Sequence, residues 1–401
     1  MPSARNVALG LLILAGAINF IDRSAVSLAL PAIKTELHLS DGQAGLLLSA
    51  FAWSYAAAQL PAGTVVDRLG ARWALAVGLA AWSCVQAASG LARGLPGFIA
   101  ARVALGLGES PMFLGGARVV ADHFPSAERA GPIGLLNASA ALGPAIAPLV
   151  LTPLMALFGW RAAFVAMGAA GLVVAAVWAR IYRDPARPAG TLLRLASPVV
   201  WFSLLRQRSM LGLLLGFAGP IYLSWLFVTW LPDYLVQVWG MTPNAAAYWS
   251  AVPQVFGFFG SLGGGFLSDR VALRLGARQG HQLLLVVGLL VAGLGAALAA
   301  AAPGVGWALA AICLAQFAAN LSTTSGWALA ASLAPVTLVA TVEAAANIGA
   351  SIGGSLAPLV TGYVVQATGS FTPALLIACA VAVVTAGAHW RLTRGPILAQ
   401  A

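Results

Sequence analysis

About twelve separate stretches of this chain are apolar for ~20 residues each, the length needed to cross a bilayer as a helix. They fall at residues 7–32, 42–66, 72–92, 96–121, 130–157 and 161–181, then 210–237, 243–267, 281–302, 304–332, 337–365 and 372–392. With only 8% charged residues, where a soluble protein has about 25%, the chain reads as an all-α, multi-pass membrane protein. The first stretch exceeds a short signal core and lacks a small-residue cleavage site, so it reads as a first membrane helix. The polar stretch from Arg180 to Arg208 divides the chain into a half at 1–181, a linker at 182–209 and a half at 210–401.

Basic residues orient the spans. If the N-terminus is inside, fifteen arginines, from Arg5, Arg68 and Arg72 to Arg391 and Arg394, fall on the cytoplasmic side. Only Lys34, Arg93 and Arg161 fall outside. Both termini and the linker are therefore expected in the cytoplasm. The net charge of +10 lies in short loops and not in a patch with aromatics, so nucleic acid is not an expected partner.

The halves repeat. Gly63-Thr-Val-Val-Asp67-Arg68 after the second span returns as Gly265-Phe-Leu-Ser-Asp269-Arg270 after the eighth, 202 residues on. The segment from Asn137 through Gly143 to Pro148 returns from Asn347 through Gly353 to Pro358, 210 residues on. Duplication of this kind predicts two pseudo-symmetric six-helix bundles with a site near the midplane between them.

Charges inside the spans mark the candidate site. Asp22 and Arg23 sit midway through the first span; Arg102 and Glu109 sit in the fourth, with Arg118 and Asp122 near its end. An ionised group at bilayer depth costs at least ~2.5–3.5 kcal/mol, so such groups face a bundle interior or a wet cavity. Arg102 and Glu109 are seven apart, about two turns, and share a helix face.

The segment GTVVDRLGAR, residues 63–72, resembles the signature loop of the major facilitator superfamily. Asn19-Phe20-Ile21-Asp22-Arg23, together with Arg102, Glu109-Ser-Pro111 and His123-Phe124-Pro125-Ser-Ala-Glu128-Arg129, resembles its anion:cation symporter family. The resemblance implies the twelve-helix fold and import of an organic anion with protons. Hexonates, hexuronates and aldarates are the bacterial substrates of that family. Its animal members carry sialic acid, phosphate or glutamate. Two departures stand out: His123 occupies a position where the family commonly has Trp, and the seventh span lacks the Arg expected of vesicular glutamate carriers.

The arginines offer planar forks suited to a carboxylate. Arg23 and Arg102 are thus candidate substrate contacts, or else structural partners of Asp22 and Glu109. Those carboxyls are the candidate proton carriers, or else members of a fixed ion-pair network. Burial favours the neutral form of a carboxyl and a nearby guanidinium favours the charged form. An anion that occupies the guanidinium therefore promotes protonation of the carboxyl. Tyr55 and Gln59 share a face of the second span, and the resemblance puts a tyrosine of that span in the substrate cavity. Packing between helices is the alternative.

The second half offers neutral groups for sugar hydroxyls, among them Trp225, Ser322, Thr323, Thr324, Ser325, Asn347 and Ser351, with Trp225 or Trp230 supplying an apolar face. The resemblance favours Asn347, since related carriers use a polar residue of that span; bonding between helices is again the alternative. Asp67, Arg68, Arg72, Asp269 and Arg270, with Arg118 and Asp122, are expected to form a cytoplasmic conformational gate.

No nucleophile–base pair, phosphate-cradling loop or His/Cys cluster is evident, so neither an enzyme nor a metal protein is expected. No cofactor is expected beyond the proton. Cys84, Cys313 and Cys379 lie inside apolar segments as packing residues. Twenty arginines against one lysine suggest a bacterial chain of high-GC coding, hence the inner membrane, and one chain holds a complete pathway, hence a monomer. Rival readings are an exporter of drugs or cations, a monocarboxylate carrier, and a non-transporting sensor on the same scaffold.

Overall fold

The computed structural model describes residues 4–124, 130–185, 203–334 and 339–397, and these residues contain no strand. The first half holds α1 (Ala4–Leu37), α2 (Asp41–Ser89), α3 (Leu95–Glu109), α4 (Pro111–His123) and α5 (Ala130–Ile181). The second holds α6 (Arg208–Trp239), α7 (Pro243–Leu275), α8 (Ala277–Ala300), α9 (Val305–Leu333), α10 (Val339–Thr368) and α11 (Thr372–Leu392). Seven of these helices are individually long and apolar enough to cross a membrane.

The helix boundaries show how the twelve expected spans are made. α2 contains the second and third spans, joined at Gly70 (φ 78°, ψ 163°). α5 contains the fifth and sixth, joined at Gly159 (φ 78°, ψ 162°). α3 and α4 together make the fourth, interrupted at Ser110 ahead of Pro111, which has no N–H to donate to the helix ladder. The result is six membrane helices in each half. Large apolar side chains stay exposed along the helices, among them Trp53, Val77, Leu107, Phe266 and Val384, as a lipid-facing surface requires.

The duplication is visible in the backbone. Gly70 and Gly276 (φ 85°) stand at equivalent junctions in the two halves, as do Gly159 and Gly369 (φ 66°). His38 (φ 51°) and Gly240 (φ 64°), 202 residues apart, form a third such pair. His38 is the sole non-glycine with positive φ among the described residues, a conformation that glycine adopts without a steric cost.

Contacts gather the chain into two compact units: Met1–Arg194 with Thr242–Ala251, and Leu195–Met241 with Val252–Ala401. In the first, α1 runs against α5, and α2 packs on α3, α4 and α5. In the second, α6 packs on α9, α10 and α11, while α8 packs on α9 and α11. The repeated Asn-to-Pro segments serve the α1–α5 and α6–α10 contacts. A Cβ on Gly143 would lie 2.2 Å from the Phe20 Cβ, and one on Gly353 would lie 2.2 Å from the Ala218 carbonyl oxygen. Met210, Leu213, Phe217, Leu285, Leu329 and Leu333 form the apolar core of the second unit.

Candidate functional site

Helix α1 carries Asn19, Asp22 and Arg23 on neighbouring faces; α3 carries Arg102 and Glu109 on one face, two turns apart. All four charges converge inside the first unit. Asp22 and Glu109 are 0% exposed and Arg102 is 2% exposed. Arg23 crosses from α1 to α3, its Nε donating to Glu109 Oε2 at 2.7 Å. The sequence left open which acid each arginine faces, and Arg23 takes the acid of the other helix rather than the adjacent Asp22.

Aromatic rings frame the cations. The Arg23 guanidinium carbon lies 4.6, 4.8 and 4.5 Å from the ring centres of Phe20, Phe51 and Tyr55. Arg102 lies 4.9 Å from the same Phe51 ring, so one phenyl group contacts both guanidinium groups. Contacts of this kind contribute about 0.5–2 kcal/mol each, more where water is excluded. Phe51 and Tyr55 are stacked, with ring centres 5.6 Å apart. Their helix reaches α3 because Gly106 lies between Arg102 and Glu109: a Cβ there would stand 2.6 Å from the Phe51 carbonyl oxygen.

Much of the cluster is unpaired. Both oxygens of Asp22, Nε and Nη1 of Arg102, Nη2 of Arg23 and Oε1 of Glu109 are buried without a hydrogen-bond partner in the protein. Asp22 and Arg102 form no ion pair within 4.0 Å. Buried polar atoms are nearly always bonded, so a group of exceptions points to function. Sequence reasoning missed the contribution of span three, where Trp82 Nε1 and both amide atoms of Gln86 are likewise buried and unpaired. The signal available was a glutamine in the middle of an apolar run.

Of the remaining candidates, Tyr55 joins the cluster through Arg23, and Gln59 is half-buried one turn further along α2. In the second unit, Trp225 packs beside Gly354, and half-buried Asn347 and Ser351 sit one turn apart on α10. Ser322, Thr323, Thr324 and Ser325, which the sequence offered as hydroxyl partners, all donate to backbone carbonyls. An unforeseen amide pair joins α9 to α7, Gln316 Nε2 donating to Gln254 Oε1 at 3.0 Å.

The expected gate residues divide. Arg72 is fastened within the first unit, its Nε and Nη2 donating to the Ala179 carbonyl oxygen at 2.9 and 2.6 Å. Beside it, Asp184 accepts the Ala71 N–H at 3.0 Å and the Arg72 N–H at 3.3 Å, capping the helix that starts after Gly70. The linker aspartate is thus a structural cap, a role the sequence did not disclose. Arg118 and Asp122 pair with each other along α4 at 3.0 Å. Arg68, Asp269 and Arg270 are exposed. The Asp67 side chain, the loop with Glu128 and Arg129, and residues 186–202 of the linker lie outside the described residues.

Comparison with known proteins agrees with this architecture. The chain is 33% identical to a probable L-galactonate transporter of Escherichia coli (strain K12), over 98% of this chain and 90% of that one. It is 31% identical to a hexuronate transporter of Bacillus subtilis (strain 168), over 96% of this chain and 94% of that one. Its fold is similar to that of a bacterial homolog of the human lysosomal transporter Spinster (TM-score 0.84, 21% identity, 98% of each chain). Residues 12–278 match the Major Facilitator Superfamily. With that match, twelve helices in two repeated halves and membrane-embedded charges, the chain belongs to the Major Facilitator Superfamily.

Proposed function

We propose that this chain is a proton-coupled symporter that imports a sugar acid, of the hexonate, hexuronate or aldarate class, across a bacterial inner membrane. It works as a monomer of two six-helix halves with both termini and the linker in the cytoplasm, needs no cofactor beyond the proton, and alternates access between the two sides. The observation that carries the reading is the buried cluster of two arginines and two carboxyls in which only Arg23 and Glu109 are paired.

Arg23 retains an unpaired Nη2, and Arg102 has an unpaired Nε and Nη1. A substrate carboxylate gains charge-assisted hydrogen bonds from these donors. In taking Arg23 it competes with Glu109, and a buried carboxylate that loses its partner costs about 3–5 kcal/mol. A proton on Glu109 removes that cost. Anion and proton therefore favour each other's binding, which is the thermodynamic content of symport. Asp22, whose two oxygens form no hydrogen bond within the protein, is the second proton carrier. Tyr55 and Gln59 on α2, and Trp225, Asn347 and Ser351 in the second half, contact the hydroxylated body of the substrate. Asp67, Arg68, Arg72, Asp269, Arg270, Arg118 and Asp122 belong to the conformational gate. The sugar acid transporters among the relatives support this choice over a cation exporter, and two buried arginines disfavour a cationic substrate.

The test is uptake into proteoliposomes of D-galactonate, D-glucuronate, D-glucarate and lactate, with and without an inward proton gradient. Accumulation of a sugar acid only with the gradient is expected. Uptake of a lipophilic cation with no anion uptake would overturn the reading, and accumulation indifferent to the gradient would remove the proton from it.

A further inference from the structure

The unpaired atoms around Asp22 have a chemical signature of their own. Six side chains, Asn19, Asp22, Trp82, Gln86, Arg102 and Glu109, carry buried polar atoms without a protein partner. Five of them face one another: Asp22 is within electrostatic reach of Glu109 and Arg102, the Trp82 indole faces Asp22 and the Asn19 amide faces Glu109, the last two contacts falling outside hydrogen-bonding geometry. Gln86 sits one turn beyond Trp82 on the same helix, 0% exposed. The unpaired atoms of these six side chains are donors (Asn19 Nδ2, Trp82 Nε1, Gln86 Nε2, Arg102 Nε and Nη1) and acceptors (Asn19 Oδ1, both Asp22 oxygens, Gln86 Oε1, Glu109 Oε1) in equal number. A bound cation would satisfy only the acceptors, and an anion only the donors. Water satisfies both, and buried waters occur where two to four such groups converge.

We propose that Asn19, Trp82 and Gln86 hold a buried water site inside the first bundle, whose waters join Asp22 to Glu109 and form the route by which the coupled proton passes between them. Gln86 is its positioning residue. It touches no substrate, and its amide offers the waters a donor and an acceptor in fixed places. The transfer breaks and forms only O–H bonds: the Asp22 carboxyl gives its proton to a water, that water passes one to a second water, and the second gives one to the Glu109 carboxylate, so that both waters end neutral. One positive charge moves, and Glu109 arrives in the neutral state that releases Arg23. The transport role of this site rests on the symport reading above, whereas the existence of the water site does not.

Two experiments on the full chain separate them. The first is X-ray hydroxyl-radical footprinting, which oxidises buried side chains only where water lies against them. Trp82 should be labelled in the wild type and labelled about fivefold less in Gln86→Met, since that variant withdraws both amide partners. Trp230 is the control: it is 1% exposed and its Nε1 already donates to the Pro358 carbonyl oxygen at 3.1 Å, so it should stay unlabelled. An unlabelled Trp82 in the wild type overturns the water site, whatever the transport data. The second experiment compares D-galactonate accumulation under a proton gradient with D-galactonate exchange at equal pH. Gln86→Met should lose about tenfold in accumulation, as expected for a disrupted proton transfer, and keep exchange within about twofold. Gln86→Asn, which keeps both kinds of hydrogen-bonding atom, should recover part of the accumulation. Equal loss of both activities with a lower melting temperature would make Gln86 merely structural and overturn its role. No accumulation by the wild type would sink the symport reading while leaving the footprint to judge the water.

Discussion

Glu109→Gln removes one charge from the cluster with almost no change of volume. In the wild type Arg23 Nε lies 2.7 Å from Glu109 Oε2, inside a site where Glu109 is 0% exposed. An arriving carboxylate must therefore displace an ionised Glu109 or meet one that has taken a proton. In the variant the amide oxygen still accepts from Arg23, but as a neutral group. A charge-assisted hydrogen bond is worth about 1.5–3 kcal/mol, and each 1.4 kcal/mol is about tenfold in affinity. D-galactonate should thus bind the variant about 10–100-fold more tightly than the wild type at alkaline pH. At acidic pH, where the wild-type carboxyl holds its proton, the two should converge. Isothermal titration of detergent-purified protein across pH reads the effect, and proteoliposomes read its counterpart: the variant exchanges substrate but cannot concentrate it. A variant whose affinity follows pH as the wild type's does would refute the reasoning, because the competition for Arg23 would then not be the source of coupling.

Asp22→Asn should also abolish concentrative uptake while exchange persists; because both Asp22 oxygens lack a partner, its melting temperature should hold or rise. Arg102→Lys keeps the charge but loses the planar group 4.9 Å from Phe51, so D-galactonate should bind about 2–30-fold more weakly by titration. Asp184→Ala removes the cap on the Ala71 and Arg72 N–H groups, which costs about 1 kcal/mol. Calorimetry should show a melting temperature lower by about 1–2 °C, with substrate affinity unchanged.

The twelve spans, the duplication and the four charges were all legible in the sequence, because bilayer thickness, repeated motifs and the cost of buried charge act on local composition. The partners were not. Spacing along α3 puts Arg102 and Glu109 on one face, but the rotation of α1 against α3 decides that Arg23 pairs with Glu109 and that Asp22 is left without a bond. The cap formed by Asp184 joins residues 112 and 113 positions apart, beyond any local pattern. Gln86 escaped for a different reason: one amide in an apolar run is cheap in composition, and its weight appears only once both its polar atoms are found buried and unpaired.

The duplication makes one more distinction possible. Gly94 and Gly304 begin the fourth and tenth spans with the same extended backbone, 210 residues apart. That displacement sets Ile312 and Ala319 against Arg102 and Glu109, so the second half has lost, or never had, the charges of α3. It also sets Gln316 against Gly106. In the first half that position is emptied so that Phe51 and Tyr55 can reach the arginine cluster; in the second it is filled by an amide that bonds Gln254 across the α7–α9 contact. One helix contact has thus been used twice with opposite chemistry: a close approach that brings aromatic rings to ionic groups, and a neutral polar pair. The arginine–carboxyl cluster of α1 and α3 thus has no counterpart on α9, and on the symport reading proposed above, substitutions on α9 should alter which polyhydroxylated anion is carried without uncoupling it from the proton. Gln316→Leu puts this to the test. It should change the ratio of D-galactonate to D-glucuronate uptake and leave the dependence on the proton gradient intact; an uncoupled Gln316→Leu carrier would show that the division of labour is wrong.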